Sequence, residues 1–250
     1  MRRTRRWLLG AGLGAAALGA GWAFRKKIRR LMRPAEGPAS GLFLDPEGLA
    51  VDAAGRLYVA DEDRGEFFLL DPQGRVLHRL SGLEGLDGPV TNGDSMAVLA
   101  PGRVVAISGH RLVEFEIEPG RARLIRVLGR PGRGPGEFQD PEGIARDASG
   151  RLYVTDEDSR RIQVFEPDGR VSAEWQVPED PESIGLFGGR VYVTFSKACW
   201  VGVYDPFGRF LFRFGSRGSD PGRFRIPDFV GPSPEGLIYV TDQGNHRIQT

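Results

Sequence analysis

The chain has a single cysteine, Cys199, in 250 residues, which excludes an intrachain disulfide framework and any zinc site built on cysteine. Histidine is nearly as scarce. His78, His110 and His246 fall at unrelated places and give no metal-ligand spacing. Net charge is also small, at +1, which argues against a nucleic-acid binder. What the chain has in excess is glycine and proline, 36 and 18 residues. Both break helix interiors and punctuate turns, so a helical bundle is excluded and an all-β chain with frequent turns is expected. With 40% hydrophobic residues, the chain is long enough to bury a core without covalent help.

The small net charge is a cancellation. Residues 1–33 hold ten bases and no acid, whereas residues 34–250 carry 24 bases against 33 acids. An acidic body repels phosphate, a second reason to expect no nucleic-acid partner. Within the basic stretch, Trp7 to Phe24 is an uncharged run of 18 residues rich in Gly and Ala. As a helix it reaches about 27 Å, enough to span a bilayer core. Thr4-Arg5-Arg6-Trp7-Leu8-Leu9 resembles a twin-arginine export signal, and Arg25-Lys26-Lys27-Ile28-Arg29-Arg30 looks like a stop-transfer flank. Residues 1–33 are therefore expected to be an export signal or transmembrane anchor, with residues 7–24 as the membrane contact. The bases flanking the run lean towards a cytoplasmic body, whereas the export resemblance places it outside. The expectation adopted is a membrane-anchored body on the extracytoplasmic side.

The body, residues 34–250, is repetitive. Asp45 to Asp63 matches Asp140 to Asp158 through the shared frame Asp-Pro-Glu-Gly and Gly-Arg-Leu-Tyr-Val. Further copies start at Pro181 and Pro227, and a degenerate one starts at Asp94. A period of 40 to 48 residues points to a propeller or solenoid. Each copy reads as four short strands separated by turn residues; around residue 150 these are 143–146, 152–155, 162–165 and 171–176. Four-stranded units at this spacing are propeller blades.

Tyr239 to Gln249 and Asp156 to Phe165 closely resemble NHL repeats. The resemblance covers residues 41–250 and implies an all-β propeller, usually of six blades, serving mainly as a binding platform; the copies in this chain supply about five. The last copy stops in its third strand. Ile28 to Pro38 matches Ile125 to Pro135 at seven of eleven positions, so residues 28–32 are one candidate for its missing fourth strand. Alternatively they only flank the membrane run.

Three groups of charged residues stand out. The Asp that ends a second strand and the Arg that opens a third recur as Asp156 with Arg161 and Asp242 with Arg247; another blade has Phe195 and Trp200 there. An ion pair exchanged for an apolar pair is what a structural contact tolerates. The first blade breaks the pattern with Asp61 and Glu66, with Glu62 and Asp63 between them. Either Arg64 or a bound cation is expected to neutralise this secondary acidic cluster. Lastly, the residue just before each first strand is acidic in all five copies: Glu47, Asp94, Glu142, Glu182 and Asp228. First strands are innermost in propellers of this type, so these carboxylates are expected to ring one mouth of the axial tunnel. They are either acceptors in the turns after proline or a cation site. No cofactor is certain, and calcium is the cation that several oxygen ligands suit best.

Two functions from different classes follow. One is a tethered or exported binding and scaffolding module for a protein, peptide or cell-envelope ligand. The other is a divalent-metal lyase or hydrolase, resembling lactonase or amidating-lyase propellers. The mixed ligand set of the former is not matched here, and the latter needs convergent histidines that this chain lacks. The expectation therefore leans away from an enzyme, with no catalytic residue assigned.

Overall fold

The structure, a computed structural model, describes residues 41–61, 63–81, 83–85, 95–232 and 236–250, with no account of the Glu47 side chain. The apolar run, its basic flank, Ile28 to Met32, Glu62 and Asp94 lie outside these residues. Among the described residues no helix is long and apolar enough to cross a membrane.

Among the described residues nineteen strands form five antiparallel sheets, each built from consecutive strands. The first blade is β1 (Pro46–Val51), β2 (Leu57–Asp61), β3 (Glu66–Leu70) and β4 (Val76–Ser81). The second is β5 (Met96–Ala100), β6 (Arg103–Ser108), β7 (Arg111–Glu118) and β8 (Arg121–Leu128). The third is β9 (Pro141–Arg146), β10 (Leu152–Asp156), β11 (Arg161–Phe165) and β12 (Val171–Gln176). The fourth is β13 (Ile184–Phe187), β14 (Arg190–Phe195), β15 (Trp200–Tyr204) and β16 (Phe210–Phe214). The fifth has three strands, β17 (Pro227–Pro232), β18 (Ile238–Asp242) and β19 (Arg247–Gln249). First strands of neighbouring blades pack on one another, β1 on β5, β5 on β9, β9 on β13 and β13 on β17. They are the innermost strands of a β-propeller.

Local sequence sets each turn. In the frame Asp-x-x-Gly-Arg, Asp52 Oδ1 accepts the amides of Ala54 and Arg56, both at 2.9 Å, and its Oδ2 takes Arg56 Nε at 2.6 Å. Asp71, Asp147 and Asp205 repeat this with Arg75, Arg151 and Arg209. Such side-chain turns offer the backbone an alternative to continuing the strand. They lie where first joins second strand and third joins fourth, which we term the lower end of each blade. The upper end is where first strands begin.

Among the described residues four of the five apolar clusters join neighbouring blades. Tyr58, Phe67 and Leu69 of the first blade meet Met96, Val104 and Phe115 of the second. Tyr153 and Ile162 of the third meet Val191, Phe195 and Trp200 of the fourth. A fully buried aromatic or aliphatic side chain contributes about 1.5–3 kcal/mol, so each blade depends on its neighbour.

Candidate ligand site at the upper end of the axis

The sequence places an acid immediately before each first strand. In the structure Glu142 and Asp228 instead lie inside β9 and β17, after a register shift near each strand's start. Glu182 alone of these three precedes its strand, β13. Because β9, β13 and β17 are consecutive innermost strands, their acids line up at the upper end of the axis.

Threonine organises the backbone around them. Thr155 Oγ1 accepts the Gly143 amide at 2.7 Å and donates to the Glu182 carbonyl of the next blade at 2.9 Å. Thr194 accepts from Ser183 N–H at 2.9 Å and donates to the Asp228 carbonyl at 2.8 Å. Thr241 accepts from Phe229 N–H at 2.9 Å. The amide following each acid is thus satisfied by a threonine, not by the acid itself.

The carboxyl of Asp228 is the unusual group. It is 2% exposed, and among the described residues no donor or cation is bonded to it. Burial, and after it the charge of Glu182, push this carboxyl well above the ordinary aspartate range. Nearby, Glu142 joins Asp140 and Glu157 in a half-buried group whose carboxylate oxygens lie within 4.8 Å of one another. Lys197 Nζ reaches Glu157 at 2.6 Å and Asp180 at 2.8 Å, tying the third blade to the fourth. That lysine's ammonium holds the Asp180 carboxyl below its usual range. Hydroxyls, carbonyls and carboxylates are a hard oxygen donor set, suited to calcium more than to a soft metal.

The other charged positions serve the scaffold. Arg161 Nε meets Asp156 at 3.1 Å with both side chains buried. Asp156 also accepts the amides of Gln139 and Asp140, and Arg161 donates to the carbonyls of Arg133 and Glu137. The pair therefore fixes the loop between blades as well as the strand ends. Arg247 and Asp242, 2.9 Å apart, hold the loop at residues 219–226 in the same way. Phe195 and Trp200 pack at 4.2 Å between ring centroids in the equivalent place. In the first blade Asp61 accepts the amides of Leu44 and Asp45 and lies 3.6 Å from Arg64, while Glu66 is held by Arg79 at 3.0 Å. Asp63 is exposed there. Separate cations meet the two acids that the strand register sets opposite each other.

Cys199 is buried, its thiol donating to the Arg225 carbonyl at 3.1 Å. The histidines remain dispersed, with His110 and His246 exposed and His78 on the outer strand β4. Sequence reasoning missed the threonines and the grouping of Asp140 and Glu157 with Glu142. The threonines were visible as the residue before Asp156 and Asp242 in the repeat.

Fold and site together define a class: a propeller whose consecutive inner strands present acids at one end of the axis. The chain is a β-propeller whose repeats are similar to those of NHL-repeat proteins. Human NHL repeat-containing protein 3 is 40% identical over 52 residues, 21% of this chain and 14% of that protein. Protein brain tumor of Drosophila melanogaster is 25% identical over 124 residues, 43% of this chain and 12% of that protein. The chain thus spans a small part of the length of either relative. A profile described as phytase-like, with esterase-like activity of phytase, matches residues 88–181. Virginiamycin B lyase from Staphylococcus aureus superposes with a TM-score of 0.58 at 16% identity, over 79% of this chain and 63% of that one. At that identity the likeness shows the fold alone.

Proposed function

We propose that residues 34–250 are a ligand-binding and scaffolding module, carried by an anchor at residues 1–33 on the extracytoplasmic side of a membrane. Its upper axial end binds a hard divalent cation, calcium, or a cationic group of a peptide or cell-envelope ligand. The observation that carries this reading is the Asp228 carboxyl, buried beside Glu182 with no counter-charge among the described residues. A buried acid of this kind stays protonated until a cation offsets its desolvation. Binding then exchanges a proton for the cation, with Glu182 as the second acidic partner. Glu142 and its neighbours Asp140 and Glu157 extend the acidic surface towards the third blade.

Calorimetric titration of the full-length chain with calcium tests this. Expected is binding by the parent that weakens at least tenfold in Asp228→Asn and in Glu182→Gln. No binding by the parent, or unchanged binding in both variants, overturns the cation reading.

A further inference from the structure

The internal repeats allow one blade to be judged against another in the same structural setting. The turn between third and fourth strands reads Asp71-Pro72-Gln73-Gly74-Arg75 in the first blade and Glu166-Pro167-Asp168-Gly169-Arg170 in the third. In the fourth it reads Asp205-Pro206-Phe207-Gly208-Arg209. Where the others place Gln73 and Asp168, the fourth blade places a phenylalanine that is 83% exposed. Against the third blade the strand that follows departs in the same direction, while the first blade already exposes Val76 and Leu77 there. Val171-Ser172-Ala173 of the third blade becomes Phe210-Leu211-Phe212, all three exposed. Phe187, at the tip of the β13–β14 turn, is exposed at the same lower end.

Phe207 projects, Phe210 keeps an edge contact with Tyr204 at 5.5 Å, and the Arg190 guanidinium lies over the Phe212 ring at 5.7 Å. Beside them a cleft of about 670 Å³ opens between the third and fourth blades, with Arg146, Tyr153 and Arg190 in its wall. Arg146 and Arg190 are exposed, and among the described residues neither is paired with a carboxylate. The aspartates of the adjacent turns are occupied by their own arginines, Asp147 by Arg151 at 2.8 Å and Asp205 by Arg209 at 3.1 Å. Exposed aromatics flanked by arginines that have no carboxylate partner among the described residues match a bilayer's apolar boundary and anionic headgroups. The acids of the axial site begin the first strands and so lie at the opposite, upper end.

Residues 7–24 form the uncharged run, and residues 25–40 reach at most about 55 Å when extended, so a run anchored in a bilayer keeps the body within that distance of lipid.

We propose that the lower face of the third and fourth blades seats on an anionic lipid surface. Phe207, Phe210 and Phe212 enter the acyl boundary, and the cleft walled by Arg146 and Arg190 takes lipid phosphates. The axial acids then face away from the membrane, towards soluble ligands. The proposal is separable from the anchor at residues 1–33, which attaches the chain without fixing which face meets lipid.

The test uses the full-length chain with an environment-sensitive label on Phe207→Cys, and a control label on Glu179→Cys at the upper end of the same blade. Both are mixed with phosphatidylcholine vesicles containing about one third phosphatidylglycerol, and vesicle flotation is read alongside. Expected are flotation, a blue-shifted label at 207 that loses most of its quenching by aqueous iodide, and an unshifted label at 179. Adding Arg146→Gln and Arg190→Gln is expected to cut the shielded fraction at 207 severalfold. Flotation with label 207 still quenched overturns this face and leaves the anchor standing; no flotation removes both. Equal shielding on phosphatidylcholine alone overturns the requirement for an anionic surface. A blue shift that grows with protein concentration without vesicles makes a second copy the occupant and overturns the lipid reading.

Discussion

The Thr155 hydroxyl of the third blade lies 2.9 Å from the carbonyl of Glu182, the residue leading into the fourth, while accepting the amide of Gly143 within its own blade at 2.7 Å. One hydroxyl thus satisfies a buried donor in its own blade and a half-buried acceptor leading into the next. Thr194 does the same between the fourth and fifth blades. Position along the axis is transmitted through these side chains, so the acids inherit their spacing from them.

Replacing Thr155 or Thr194 with valine keeps the shape and removes the bridge. Each substitution leaves a buried amide and a carbonyl without their partner, a loss of about 1–3 kcal/mol. Urea denaturation is expected to show that decrease for each variant, together with weaker calcium binding. Unchanged stability in both would mean that water replaces the hydroxyl without cost.

The pH dependence of stability follows from Asp228. Its carboxyl titrates well above the ordinary range in the folded chain and near 4 when unfolded. Below pH of about 4 both states are protonated and the folded state pays nothing. As pH rises from there to the folded value, the unfolded chain releases its proton first, so stability declines. Asp228→Asn is expected to flatten this part of the profile and to be more stable than the parent at neutral pH without calcium. Denaturant midpoints between pH 4 and 8 provide the measurement. The same linkage makes calcium bind more tightly as pH rises, since one proton must leave.

Ion pairs of similar length should differ sharply in worth. Arg161 and Asp156 are both buried at 3.1 Å, and Arg161→Ala leaves a fully enclosed carboxylate behind. Breaking such a pair costs about 3–5 kcal/mol. Arg79 lies 3.0 Å from Glu66 but is half exposed, and Arg79→Ala is expected to cost at most about 1 kcal/mol. Equal losses for the two would contradict the role assigned to the interblade loop.

The repeat made the fold legible, because Asp-Pro-Glu-Gly and Gly-Arg-Leu-Tyr-Val recur where strands and turns recur. It also showed Asp156 with Arg161 as a pair, and the exchange to Phe195 with Trp200 as its equivalent. The positions of Glu142, Glu182 and Asp228 were readable for the same reason. What could not be read was that Asp228 is enclosed, since its burial arises from packing between blades and not from neighbours in sequence. The burial of Cys199 was hidden for the same reason: Arg160 projects from the equivalent left-handed turn position, whereas the short thiol turns under the loop that carries Arg225. The bridging role of Thr155 is likewise a relation between sheets. A single strand shows it only as a β-branched residue.

The turn glycines offer a final comparison within one chain. Gly74 and Gly208 occupy the same place in the frame Asp-Pro-x-Gly-Arg, with φ of +80° and +87°. A Cβ on Gly74 meets nothing within 4 Å, whereas one on Gly208 falls 2.5 Å from the Trp175 ring of the neighbouring blade. Gly74→Ala therefore bears only the left-handed backbone cost of about 1–2 kcal/mol. Gly208→Ala bears that cost and also displaces Trp175, which packs beside Tyr153 at the interface of the third and fourth blades. Overpacking of this kind adds about 1–3 kcal/mol. Denaturant unfolding of the two variants is expected to rank them in that order, with a change in tryptophan emission confined to Gly208→Ala. Equal destabilisation without that spectral change would show that the fourth blade yields to the methyl group, and that the close approach of turn to ring does not hold the two blades together.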